Sequence, residues 1–239
     1  MITTRLAADL QAAAEQKGCA ICKLLERDEQ RFFATLLYEQ INDLRRRQQL
    51  QQSRGFCAAH ARSFASVEGA PLGAAIIVRS LLGRLLEQER SLEAAEQPRT
   101  WLSDMFKGAT VRGVAALLRP QALCPACAHL NEQTRLYLST LLAHLADRTF
   151  AETYTHSDGL CLPHLALALD QSPPAAVARL LLSHQRKVWG HLCDVLDEFT
   201  RKHDYRFKHE TLTPEEQSIW RRALLLLSGR RTGRDERTE

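Results

Sequence analysis

The stretch Ser53 to His60, SRGFCAAH, returns later in the chain as Ser157 to His164, SDGLCLPH. Each copy is preceded by a Cys-x-x-Cys pair, Cys19-Ala-Ile-Cys22 in the first half and Cys124-Pro-Ala-Cys127 in the second. Aligning the halves places Cys19 on Cys124, Cys22 on Cys127, Cys57 on Cys161 and His60 on His164. The dipeptide Leu36-Leu37 falls on Leu141-Leu142, and the intervening segments differ by a single residue. An internal repeat constrains architecture more than any local propensity, because each copy has to fold into a similar unit.

The repeated residues are metal-binding types at metal-binding spacing. Two cysteines three positions apart can place both sulfurs on one ion, and a helix start there aims backbone amides at the thiolates and favours ionisation. A Cys and a His three apart in a first helical turn face the same way. Each half therefore offers three thiolates and one imidazole, the Cys3His set of a structural zinc site. The expected ligands are Cys19, Cys22, Cys57 and His60 for one ion and Cys124, Cys127, Cys161 and His164 for the other. This within-repeat pairing is favoured because it gives each half its own staple. A helix of roughly seventeen residues from Cys22 travels about 25 Å, and the following residues suffice to bring the chain back. The alternative is an exchange in which the CxxC of one half meets the CxxH of the other.

Composition sets the class around these motifs. At 239 residues the chain can bury a real core as one domain or two. Leu and Ala dominate the apolar residues while aromatics make up only 6%, which favours helices over strands. The N-terminal residues lack the basic leader and apolar run of a signal peptide. No apolar stretch approaches the ~18 residues of a membrane span. These features lead us to expect a cytoplasmic protein, and in a reducing compartment spaced cysteines read as metal ligands rather than disulfides.

Periodicity and breakers give an all-α reading. Ile2, Leu6, Leu10 and Ala14 share a helical face that stops at Lys17-Gly18. A long amphipathic run goes from Cys22 to about Gln40, and a charged helix, LRRRQQLQQS, follows a turn at Asn42-Asp43. A short helix runs from Cys57 to Val67, and after Gly69 and Pro71 another extends from Leu72 toward Pro98. The second half repeats the order: helical turns ending at Pro120, a run from Cys127 through Leu142, a turn at TYTHSDG, a short helix from Cys161 and the longest helix from Ala175 to about Thr200. Thr213-Pro214-Glu215-Glu216 is a capping box whose helix closes at Gly229. The organisation expected is 1–99 and 100–200 as tandem pseudo-symmetric helical repeats, which can pack as one domain, then 201–229 as a loop and helix, and 230–239 as a disordered tail.

Other motifs carry less. Cys193, among Leu192, Val195 and Leu196, reads as a core thiol. The remaining histidines lack repeated ligand spacing and read as surface or hydrogen-bonded groups. Arg45-Arg46-Arg47 and the segment Arg201 to Lys208, with Tyr205 and Phe207, could contact phosphates and stack on bases. The competing reading is a solvated helix face and a packed loop. A thioredoxin-like use of CxxC needs a βαβ context that is missing, whereas an iron-sulfur cluster on mixed Cys and His ligands is the chemical alternative to zinc.

The elements CAIC, GFCAAH, CPAC and GLCLPH, with RKHDYRF and EEQSIWRRALLLLSG near the C-terminus, resemble an uncharacterised bacterial domain-of-unknown-function family with twin CPxC and G(F/L)CxxH motifs. The resemblance covers nearly the whole chain. Ala20 stands where the second pair has Pro125, a change that removes no ligand. The resemblance implies the same ligand set and no activity. No catalytic triad, P-loop or dinucleotide fingerprint appears. The sequence therefore reads as a zinc-binding helical scaffold with two Zn2+ per chain and a protein partner, not as an enzyme. A nucleic-acid-binding protein and a thiol-based redox or iron-sulfur sensor are the alternatives.

Overall fold

The computed structural model describes residues 2–95 and 112–229, and among them no strand occurs. The helices are α1 (Ile2–Ala14), α2 (Ala20–Tyr38), α3 (Leu44–Gln52), α4 (Ala58–Ala65) and α5 (Ala70–Ala95). Residues 112–118 lie in α6. Then come α7 (Pro125–His144), α8 (Arg148–Thr155), α9 (Leu162–Asp170), α10 (Ala175–His203), a 3-10 turn at Tyr205–Phe207 and α11 (Pro214–Ser228). The chain is all-α, as its composition implies. The tail expected at 230–239 and the N-terminal part of the turns expected around Trp101 lie outside the described residues.

Local chemistry explains the boundaries. Asp43 caps α3 by accepting from the Arg46 N–H, and Asp147 caps α8 by accepting from Thr149 and Phe150. Helix α8 corrects the reading of TYTHSDG as a turn, because Thr153 to Thr155 are its last residues. The helix forms because Phe150 and Tyr154, four apart, bury on one face. Pro71 sits in the first turn of α5, where a missing N–H costs nothing. The Thr213–Glu216 capping box is complete: Glu216 N–H donates to Thr213 Oγ1 and Thr213 N–H donates to Glu216 Oε2.

Two compact units emerge. One takes the chain up to Arg27 and again from Asn131 onward, and the other takes Asp28–Leu130. The division falls inside α2 and inside α7, so the 1–99 and 100–200 segments each contribute to both units. In the first unit α1 packs on α8, and α11 packs on α9 and α10. Its interior includes Leu10, Ile21, Leu25, Leu138, Leu160, Leu181 and Ile219, all nearly inaccessible. Val188 and Leu192 of α10 meet Ile219 and Leu226 of α11. In the second unit α5 packs on α3 and α4. Its core joins Phe32, Phe33, Leu36, Leu50, Phe64 and Ile77 with Cys124 and Cys127. The Phe33, Phe56 and Phe64 rings lie 5.1–5.6 Å apart there, close enough for favourable aromatic pairing. Cys193 is exposed, contrary to the core reading. The buried face of α10 is Val177, Leu181, His184, Gln185, Val188 and Leu192, and one residue beyond Leu192 the helix has turned by about 100°.

Candidate metal centres

All four motifs stand at helix starts. Cys19 and Cys124 immediately precede α2 and α7, and Cys22 and Cys127 lie in those helices' first turns. Cys57 and Cys161 are the N-caps of α4 and α9, with extended backbone at φ −64° and −68°, and His60 and His164 follow three residues on. The N-cap and third helical positions face the same side of a helix start, where a capping box makes its reciprocal bonds. Two positive helix ends therefore meet at each cluster, α2 with α9 and α4 with α7, and both favour thiolate.

The shared Ser-x-Gly builds the entry to the CxxH helices. Ser157 Oγ donates to the Tyr154 carbonyl at 2.7 Å and accepts the Gly159 N–H at 3.0 Å. Gly159 has φ +71°, and a Cβ there would lie 2.7 Å from Gln185 Oε1, the atom that accepts the Leu160 N–H. Only glycine combines that backbone with that approach. In the first copy Ser53 Oγ donates to the Gly55 carbonyl at 2.7 Å, with Gly55 at φ +94°.

The structure gathers all eight expected ligands but pairs them across the halves. One cluster is Cys19, Cys22, Cys161 and His164, within the first unit. The other is Cys57, His60, Cys124 and Cys127, within the second. In the first, Cys22 Sγ lies 3.6 Å from Cys161 Sγ, and His164 Nδ1 lies 3.5, 3.4 and 3.1 Å from the sulfurs of Cys19, Cys22 and Cys161. In the second, Cys57 Sγ lies 3.7 Å from Cys127 Sγ, and His60 Nδ1 lies 3.2, 3.6 and 3.3 Å from Cys57, Cys124 and Cys127. This corrects the within-repeat pairing, and contacts beside the ligand residues favour the exchange. Gly18 N–H, immediately before Cys19, donates to Asp158 Oδ2 in the loop before Cys161. Asp158 Oδ1 also accepts from Arg222 at 2.6 Å. In the other unit Gln121 N–H, just before Cys124, donates to the Gln52 carbonyl at 2.8 Å, beside Ser53. Each link holds a CxxC loop against the CxxH loop of the other half.

Surroundings differ between the clusters. Cys19, Cys22, Cys161 and His164 are all buried, whereas Cys57 is half-buried. The end of α11 covers the first cluster: a Cβ on Gly229 would lie 3.2 Å from Cys161 Sγ. In the second, His60 turns Nδ1 to the sulfurs and Nε2 toward Glu29 Oε1 at 3.7 Å. That outer carboxylate favours the tautomer in which Nδ1 is free to ligate. Gln121 and Glu29 escaped the sequence reading because they lie outside the repeated spacing, and Asp158 because it fills the variable position of Ser-x-Gly, where the first copy has Arg54.

The protonation of each cluster follows from its packing. The hydrogen bond from the Cys127 thiol, then that with His60, holds Cys124 down at about 3 against the effect of burial. Hydrogen bonds with Cys19 and Cys22, reinforced by burial, push Cys161 far above the ordinary thiol range. Burial opposes ionisation of Cys19, but hydrogen bonds with Cys161, Cys22 and His164 outweigh it and leave Cys19 well below that range. Burial lowers His164, yet its bonds to Cys19 and Cys22 raise it to about 9. Three thiols packed this closely share protons because they cannot all be anionic together, and a divalent cation removes that restriction.

The basic segments make mostly internal contacts. Arg46 donates to Gln40 and Gln49 and lies over Phe32, and Arg47 donates to the Ile41 carbonyl. Arg201 pairs with Glu198 and Glu210, Lys202 with Glu216, and Arg206 with Asp204. Arg201 and Arg206 also flank the Phe207 ring.

Among known proteins, the model of a family described as a family of unknown function, DUF6062, matches residues 9–232. An uncharacterized 23.9 kDa protein encoded in the xynA 3′ region of Caldicellulosiruptor sp. (strain Rt8B.4) is 24% identical over 216 residues. The match covers 90% of this chain and 97% of that protein. No solved structure matches the chain.

Proposed function

The chain belongs to the DUF6062 family, and from that premise and the geometry of its two clusters we propose that it binds two structural zinc ions and serves as a non-enzymatic interaction scaffold. The observation that carries the reading is the size of the ligand sets. In a tetrahedron with Zn–S of ~2.3 Å and Zn–N of ~2.0 Å, sulfurs stand ~3.8 Å apart and sulfur and nitrogen ~3.5 Å apart. The Cys22–Cys161 and Cys57–Cys127 sulfurs stand 3.6 and 3.7 Å apart, and the S···N separations are 3.1–3.6 Å. Such sulfurs are too far apart for the ~2.05 Å bond of a disulfide. An iron-sulfur cluster spreads its thiolates over separate irons, whereas all the ligand atoms of each set lie within 4.8 Å of one another. One ion per set fits.

With three thiolates and an imidazole in place, no coordination position is left for substrate, which favours a structural over a catalytic ion. Each ion joins the starts of two helices from different halves, so binding fixes contacts between remote segments. The interaction role draws support from α5, where Leu72, Val78, Leu82 and Leu86 are all more than 45% exposed. No helix among the described residues is long and apolar enough to cross a membrane.

Elemental analysis and an absorption spectrum of anaerobically purified protein test the proposal. Two zinc per chain without visible colour are expected. Iron with visible bands would replace zinc with redox chemistry, and a metal-free folded chain would remove the ions from the account.

A further inference from the structure

Beside the first metal cluster, α11 and the start of α2 enclose a cavity of about 290 Å³, near the lower end of the ~300–1,000 Å³ common for small-molecule pockets. Four cationic side chains line it: Lys17, Lys23, Arg221 and Arg222. Two are held in place. Lys23 Nζ donates to the Ala13 and Gly18 carbonyls at 3.0 and 3.3 Å, and Arg222 pairs with Asp158 at 2.6 Å and Glu215 at 3.2 Å. Lys17 and Arg221 are exposed, and the Arg221 guanidinium lies 4.9 Å from the centre of the Trp220 ring.

Glu215 is the one carboxylate in the lining, and the accessible apolar wall is Leu225, backed by the buried Ile219 and Leu226. Asp158 is paired with Arg222, and Glu215 with both Arg222 and His191. Even with these two carboxylates and one net negative charge on a Cys3His zinc site, the balance around the cavity is positive. The cavity depends on α11, which follows the second copy of the repeat.

We propose that this cavity is a binding site for a small organic anion, its carboxylate or phosphate head met by Lys17 and Arg221 and its apolar body lying on Leu225, which is exposed. Lys23 and Arg222, held by partners of their own, keep the wall positive beside the metal cluster, and the exposed Lys17 and Arg221 supply the charges that meet the head. The assignment holds whichever divalent ion the cluster takes.

Isothermal titration calorimetry of the metal-loaded full chain with octanoate, octyl phosphate and inorganic phosphate tests it. At least one octyl compound is expected to bind saturably at one per chain, more tightly than inorganic phosphate. Arg221→Gln and Lys17→Gln change exposed residues and leave the metal content intact. Each is expected to weaken that binding about tenfold or more, the scale of one charge-assisted hydrogen bond. Arg206→Gln, a change to an arginine outside the cavity, is expected to have no effect. The proposal is overturned if neither octyl compound saturates below about 1 mM, if inorganic phosphate binds equally well, or if Arg206→Gln matches Arg221→Gln.

Discussion

The pairing of ligands across the halves separates two double variants that a within-repeat pairing would rank the other way round. Cys19 and Cys161 belong to one cluster, whereas Cys22 and Cys57 belong to different ones. Cys19→Ser/Cys161→Ser therefore takes two donors from a single ion and leaves the other site complete. Cys22→Ser/Cys57→Ser takes one donor from each. Zinc binding in finger peptides amounts to ~10–16 kcal/mol at neutral pH, so one ligand in four accounts for about 2.5–4 kcal/mol, or roughly two to three orders of magnitude in affinity. At free zinc buffered by a chelator to a level that just saturates the parent chain, Cys19→Ser/Cys161→Ser keeps one zinc and Cys22→Ser/Cys57→Ser keeps close to none. Urea melts add an independent readout. Losses from Cys19→Ser and Cys161→Ser are strongly non-additive, because the second change acts on a site already emptied, while changes in separate sites come nearer to adding. One zinc retained by Cys22→Ser/Cys57→Ser and none by Cys19→Ser/Cys161→Ser would refute the pairing.

Two further outcomes follow from α11. Gly229 has φ +68° and ψ 168°, a region essentially reserved for glycine, and a Cβ there would press on Cys161 Sγ. Gly229→Ala should cost about 1–3 kcal/mol of stability and speed chelator capture of the first ion while leaving the second unchanged, measured as two-phase zinc release. Glu216 is held below the usual glutamate range, first by its hydrogen bond from Lys202 and then by the Thr213 N–H. Because its folded value is depressed, its contribution is present above the unfolded value of about 4.3 and is lost as pH falls through the folded one. Glu216→Gln should therefore lower the urea midpoint near neutral pH and flatten its fall below about pH 5, and an unchanged acid limb would discard this role for the Lys202 pair.

What could be read from the sequence was whatever the repeat wrote twice. Four positions in register pick out the eight residues that the structure gathers into two candidate metal clusters, because chance burial does not reproduce Cys and His spacing in two halves. The helix starts were legible for the same reason, since N-cap and third-residue positions are local. Helix α8 was missed because TYTHSDG is rich in turn formers, although Asp147 as N-cap with Phe150 and Tyr154 four apart carried a helical signal.

The pairing of the motifs is a different kind of question, and local reasoning weighed it with too small a term. Closing Cys22 onto Cys161 spans 139 residues, and closing Cys57 onto Cys127 spans 70. The within-repeat closures are about a quarter and about half as long. Loop-closure entropy rises by only about 0.6 kcal/mol per doubling, so the local staple was favoured by roughly 1.2 kcal/mol at one site and 0.6 at the other. A single hydrogen bond to a charged group contributes about 1.5–3 kcal/mol. Asp158 makes one across the halves, to Gly18 N–H, while Arg222 of α11 holds its other oxygen, and the residue at its place in the first copy is Arg54, which cannot accept such a bond. The same donors recur in both clusters, and the exchange at the first is favoured by a carboxylate that occurs in only one copy.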